Sequence, residues 1–173
     1  TLEDKKKIAI CEAVLYQAKN ITVDTKKDYL LKLLKKEKEK VIIFTTFLHT
    51  QKIIDMELKQ AGFSTVPFNG SMTPEEKETA ILEFKGDKQI LICTDAGSEG
   101  RNLQFAHIVI NYDLPWNPMR IEQRIGRVHR IGQQQDVIIH NLAIKDTIEG
   151  YILNRLYEKI NLFHVSIGEM DLI

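Results

Sequence analysis

Four arginines and a histidine crowd into "RIEQRIGRVHRIGQ", Arg120 to Gln133, a fourteen-residue stretch that also holds two glycines. At about 100° per residue, a helix would set Arg120, Arg124 and Arg127 on one face, with Gln123 and Arg130 at its edge. Ile121, Ile125 and Val128 fall on another face, so the stretch reads as an amphipathic helix carrying a cationic arc. Guanidinium forks arranged in an arc suit phosphate oxygens, which accept planar, paired hydrogen bonds. A solvated basic face has the same signature, and from this helix alone both accounts stand. Gly126 costs about 1 kcal/mol relative to alanine inside a helix, which points to a close approach of backbone.

Two other loops combine glycine with small polar residues. In "TDAGSEGRNLQ" (94–104), Thr94 and Asp95 end an apolar run and two glycines follow in a polar loop. A turn of that kind can bring backbone amides close to a phosphate. "FNGSMTPEEK" (68–77) puts Gly70 and Ser71 just before a helix start, where a phosphate cradle and a plain capped turn look alike. Cys11 and Cys93 are far apart and lack metal-ligand spacing, and Cys93 inside "QILICTD" reads as a buried thiol. No metal site is expected.

The elements that must hold these loops alternate along the chain. Five β-type runs are predicted at 41–46, 64–68, 89–94, 107–113 and 136–143, with helices at about 50–61, 74–85 and 117–130. Thr73-Pro74 and Asn117-Pro118 are helix-start signals. Near-continuous apolar runs such as "VIIF" and "ILIC" suit strands buried on both faces. The expected fold is therefore α/β, a parallel sheet of about five strands with helices on both faces. The connection 95–106 lacks a long helix, yet its twelve residues suffice for a crossover. In such sheets functional loops leave the carboxyl ends of strands, here after Thr46, Phe68, Thr94 and Asp113. Residues 1–40 are a lysine-rich helical lead-in, 41–145 the sheet domain, and 146–173 a long amphipathic helix and tail. The lead-in, with Leu30, Leu33 and Leu34 along one side, is expected to be a solvated helix covering a sheet edge.

A chain of 173 residues, 43% hydrophobic and 28% charged, has the composition of one soluble globular domain with a full core. Its 24 basic and 24 acidic residues cancel, so only charge distribution can speak for nucleic acid. No apolar run reaches the roughly 18 residues of a membrane span, and no signal segment opens the chain. It begins at "TLEDKKK" without methionine and reads as a piece of something longer.

Taken in order, "KVIIFTTF", "FNGSMTPEEKETAILEF", "ILICTDAGSEGRNLQFAHIVINYDLPWNP", "RIEQRIGRVHRIGQ" and "TIEGYIL" resemble the second, C-terminal RecA-like lobe of Swi/Snf-type DNA translocases in helicase superfamily two. The resemblance runs over about 35–155, and "WNP" followed by "GRVHRIGQ" is its most specific part. It implies a RecA-like fold and an ATP-driven motor on double-stranded DNA. By the same resemblance, Arg127 and Arg130 match paired arginines that reach the γ-phosphate of ATP held by the first lobe. Gln123 matches the residue that begins that motif and couples nucleotide to lobe closure. Gly100 and Asn102 match positions near the ribose and γ-phosphate side, while Thr46, Gly70, Ser71 and Thr94 match the grip on the DNA backbone. Arg124 is expected to order the helix.

"SEGRNLQ" departs from the glycine-leucine-glycine run of many eukaryotic remodellers. Glu99 and Arg101 look more like the bacterial branch that works with RNA polymerase, which favours a bacterial or archaeal source. Hydrolysis in this family needs a G-x-x-x-x-G-K-[ST] loop and an acidic pair for Mg²⁺ and water. Neither such a loop nor an Asp-Glu dipeptide occurs in these residues, so ATP and Mg²⁺ are expected to be held mainly by a first lobe, and the isolated chain to be inactive. The implied partners are the DNA backbone, that first lobe, and RNA polymerase or another DNA-bound protein, with no membrane. The implied setting is cytoplasmic, the nucleoid of a bacterium or archaeon, or nuclear in a eukaryote. The alternatives are a strand-separating helicase of the same superfamily and a non-catalytic interaction module.

Overall fold

A computed structural model describes residues 2–20, 24–98, 100, 102–117, 119–129, 133 and 135–167. Five strands, β1 (Val41–Thr45), β2 (Thr65–Phe68), β3 (Ile90–Thr94), β4 (Ile108–Asn111) and β5 (Ile138–Asn141), form one sheet in the order β2-β3-β1-β4-β5. Every pairing is parallel, with Ile43 opposite Ile92 on one side and Ile110 on the other. All five expected strands are present, each trimmed by a residue or two at its ends.

Strands β1, β3 and β4 are buried along their whole length, so alternate side chains feed two cores. Val41, Ile43, Ile90, Ile92 and Ile110 pack on α2 (Thr25–Leu34) and α3 (Leu48–Gln60). Ile42, Phe44, Leu91, Cys93 and Val109 face α4 (Pro74–Lys85) on the opposite side. Leu30 and Leu34 thus place α2 over a sheet face rather than an edge. Helix α1 (Leu2–Lys19), by contrast, is exposed at every position from Glu3 to Lys19.

Thr73 starts α4 as expected: its hydroxyl accepts from the Glu76 amide, and the Glu76 carboxylate accepts from the Thr73 amide. Between β3 and β4 runs the short α5 (Asp95–Ser98). The helix predicted at 117–130 is corrected to α6, Met119–Ile125, started by the Asn117 side chain accepting from the Met119 amide. Beyond it residues 126–128 form a turn, because Val128 must reach down into the α4-side core. The long α7 (Ile148–Ile167) packs Ile152 and Leu156 on Ile121 and Leu114, bracing α6 from behind. Its first turn is fastened to α2 by the largely buried pair Lys26–Glu149, at 2.6 Å.

On the side of β2 that pairs with β3, the Ser64 carbonyl accepts from the Ile90 amide. Strand alternation then turns the backbone of Thr65 and Pro67 away from the sheet.

Candidate functional site

Chain direction across the sheet reverses between β1 and β4: the connection from β1 leads toward β2 and that from β4 toward β5. Such a switch point opens a crevice at the carboxyl ends of the strands, where α/β proteins commonly bind ligands. Here the crevice is filled by a side chain of the protein itself. Arg124, 1% exposed, donates from Nε and Nη2 to the two Asp95 carboxylate oxygens at 2.6 and 3.0 Å. Its Nη1 donates to Asn111 Oδ1 and the Asp113 carbonyl, both at 2.9 Å, and the guanidinium lies 5.4 Å from the centre of the Phe44 ring. A buried charge needs such complete pairing to persist. Asp113 extends the network by accepting from the Thr45 hydroxyl and from both the amide and hydroxyl of Thr46. Its Oδ1 also stands 3.9 Å from Arg124 Nη2.

The cationic arc is thereby corrected. Arg124 is interior, Arg120 is a half-exposed neighbour 3.9 Å from Asp95, and Arg127 lies past the helix end. Among the described residues the Arg127 side chain has no hydrogen bond or ion pair, whereas its backbone is held at both ends. The Arg127 amide donates to the Arg124 carbonyl (3.3 Å), and the Arg127 carbonyl accepts from the Leu103 amide (3.0 Å). Gln133 secures the same turn, its Nε2 donating to the Gln104 carbonyl at 2.9 Å and standing 3.4 Å from that of Val128. Gln123 is exposed on α6. Gly100 has φ +73°, with open space where a Cβ would be. Asn102 is exposed and folds into a turn by accepting from the Gln104 amide. Arg130, Glu99 and Arg101 lie outside the described residues.

The four residues expected at DNA lie at the carboxyl ends of β1, β2 and β3. Thr46 is bound to Asp113 as above, and the Gly70-Ser71 loop is shaped by Asn69, whose Oδ1 accepts from the Ser71 amide and hydroxyl. Thr94 is buried, and its hydroxyl accepts from the Gly97 amide within α5. Gln51, also buried, donates to the Phe68 and Ile92 carbonyls and accepts from Asn69, so one α3 side chain ties the start of the loop after β2 to β3. A groove beside β2 is lined by Asn69 and Ser71 together with Glu75, Glu76 and Glu83, so carboxylates flank the Gly70-Ser71 loop on one side.

The close backbone approach expected at Gly126 occurs instead at Gly97. A Cβ on Gly126 would meet nothing nearer than 3.4 Å, whereas one on Gly97 would collide with the Asn69 backbone. Sequence reasoning missed Asp95, Asn111, Asp113 and Gln51. For the two aspartates a signal was nonetheless present: a carboxylate just past a mostly apolar strand, as in "ICTD" and "VINYD", calls for a cation.

The residues present suit one side of a nucleotide. Arg127 and Gln123 have side-chain donors without an acceptor among the described residues, and a Cβ on Gly100 would meet nothing within 4 Å. Metal binding is another matter: no group of three or more His, Cys, Asp or Glu among the described residues could hold an ion. Nor, among those residues, is any helix long and apolar enough to cross a membrane. Burial pushes the Cys93 thiol well above its ordinary range, against the opposing pull of the Arg124 and Arg127 charges.

Comparison with known proteins places this arrangement. Residues 25–132 match the family described as helicase conserved C-terminal domain. The chain is 51% identical over 151 residues to the uncharacterized ATP-dependent helicase YqhH of Bacillus subtilis (strain 168), covering 87% of this chain and 27% of that protein. It is 37% identical over 145 residues to the RNA polymerase-associated protein RapA of Vibrio campbellii, covering 81% of this chain and 15% of that one. Among solved structures, the C-terminal part of the Fun30 ATPase domain superimposes with a TM-score of 0.70 at 36% identity, over 76% of this chain and 44% of that one. The C-terminal domain of the DEAD-box protein Dbp5 follows at 0.67 and 26%, over 78% of each chain.

Proposed function

Since the chain belongs to the helicase conserved C-terminal domain family and has its RecA-like α/β fold, we propose that it is the second motor lobe of an ATP-driven translocase on double-stranded DNA. The observation that carries this reading is the contrast between two arginines three residues apart. Arg124 is fully paired inside the lobe, while Arg127 is rigidly mounted by its backbone and leaves its guanidinium without a protein partner among the described residues. A side chain so presented is suited to a phosphate brought by another body.

In this reading a first lobe would hold most of ATP and its Mg²⁺; hydrolysis of the phosphoanhydride would supply the free energy and the metal would offset phosphate charge. Arg127 and Arg130 reach the γ-phosphate when the lobes close, and Gln123, Gly100 and Asn102 line the approach. Thr46, Gly70 and Ser71 meet the DNA backbone, and Thr94 shapes the α5 turn beside them. Closing on ATP and opening afterwards shifts this grip relative to the first lobe, a two-state hinge used as a motor. RNA polymerase or another DNA-bound protein is the cargo we favour, in the nucleoid of a bacterium, in keeping with the bacterial relatives. The decisive experiment measures ATP hydrolysis by the full-length protein with duplex DNA, alongside a strand-separation assay. Duplex-stimulated turnover without strand separation is the expected result. Separation of strands would turn the reading to a helicase, and no stimulation by DNA would overturn it.

A further inference from the structure

The buried ion-pair network is not needed to close the core, which is apolar on both sheet faces, and it sits in the crevice where a ligand would otherwise bind. Its members come from β1, β4, α5 and α6 and from the residues that directly follow the two strands. Asp95 opens α5, Asn111 ends β4 and Asp113 follows it, Thr45 ends β1 and Thr46 follows it, and Arg124 belongs to α6. From the Arg124 carbonyl a single hydrogen bond leads to the amide of Arg127.

We infer that Arg124 is a positioning residue for ATP hydrolysis: its guanidinium fork locks the Arg127 turn to the strand ends that carry the DNA-facing loops, so that both sides of the motor share one rigid frame. This inference rests on the function proposed above. Four directed hydrogen bonds from one planar group fix rotation as well as distance, which a point charge cannot do. Asp113 links the frame to the Thr46 side, since the residue whose carboxylate accepts from the Thr46 amide and hydroxyl also accepts from Arg124 through its backbone carbonyl. Arg127 needs such a mount because its side chain has no second anchor among the described residues.

The test uses the full-length protein with Arg124→Lys, which keeps the charge and loses the fork, and the milder Asp95→Asn. Both are assayed at a temperature where circular dichroism shows them folded. Arg124→Lys should lower DNA-stimulated kcat by roughly tenfold or more, because a misplacement of about 1 Å can cost up to about 100-fold. The KM for ATP and the nucleotide-free affinity for duplex DNA should stay within about twofold, the pattern of an interaction made only in the transition state. Asp95→Asn should show the same split to a smaller degree, and the double variant should cost less than the product of the two. If Arg124→Lys does not fold, Asp95→Asn carries the test alone. A folded variant with wild-type kcat overturns the inference. A merely stabilising network would show a lowered melting temperature with kcat intact. Failure of the underlying reading looks different: wild-type protein without DNA-stimulated turnover, or full turnover in Arg127→Ala.

Discussion

Gly97 lies against the backbone of Asn69 so closely that a Cβ there would sit 2.5 Å from the Asn69 Cα and 2.8 Å from the Phe68 oxygen. Backbone cannot step aside as a flexible side chain can, so the α5 turn and the loop after β2 are pressed into one unit. Gly97→Ala should cost about 3 kcal/mol, the upper end of ordinary overpacking, measured by urea unfolding of the isolated chain. A change below about 0.5 kcal/mol, typical of an ordinary surface substitution, would show that the two loops are free to part.

Arg127→Ala and Arg130→Ala should each remove most DNA-stimulated ATP hydrolysis from the full-length protein. Arginine fingers contribute roughly 10³ to 10⁵ in turnover, because they meet charge that develops on the γ-phosphoryl oxygens in a dry interface. Lysine should rescue poorly. Arg127→Ala should melt as wild type, since that guanidinium has no partner in this lobe among the described residues. Wild-type turnover in both alanine variants would reduce the arginines to a solvated surface.

The isolated chain should hydrolyse no ATP above background, with or without DNA. It should bind duplex weakly, without sequence preference and with a shallow dependence on salt, because only a few phosphate contacts release counterions. Measurable DNA-stimulated turnover from these residues alone would contradict the half-site reading. So would tight binding to one sequence that survives high salt.

Cys11 is exposed and Cys93 is buried. The reactive species is the thiolate, and burial keeps Cys93 protonated far above neutral pH. Iodoacetamide at pH 8 should therefore label the native chain at Cys11 alone, with Cys93 following only in denaturant, as read by peptide mass. Rapid native labelling of Cys93 would mean that β3 opens readily.

How much of this could be read from sequence follows from what each residue's neighbours are. Strands β1 and β3 were legible because both of their faces are covered, leaving unbroken apolar runs. The α4 start was legible because a capping box is local: Thr73 and Glu76 are three residues apart. Arg124 was not. Helical periodicity groups it with Arg120 and Arg127, but its partner Asp95 is 29 residues earlier, and only the fold brings them together. The end of α6 at Ile125 was hidden for a related reason: the pull of Val128 into the core outweighs a helical pattern that continues past Gly126. Thr94 shows the remaining gap, since a threonine at a strand end can face a ligand or cap the next turn with identical sequence context.

Pro67 turns its nitrogen outward on the open side of β2 and has no N–H to offer there. A foreign strand docking on that side would find its donor row broken in the middle. The sheet therefore resists growing by aggregation at β2. In the proposed motor cycle that protection would matter each time the lobe parts from its neighbour, since a hinge exposes surfaces repeatedly and an unguarded edge would collect other chains.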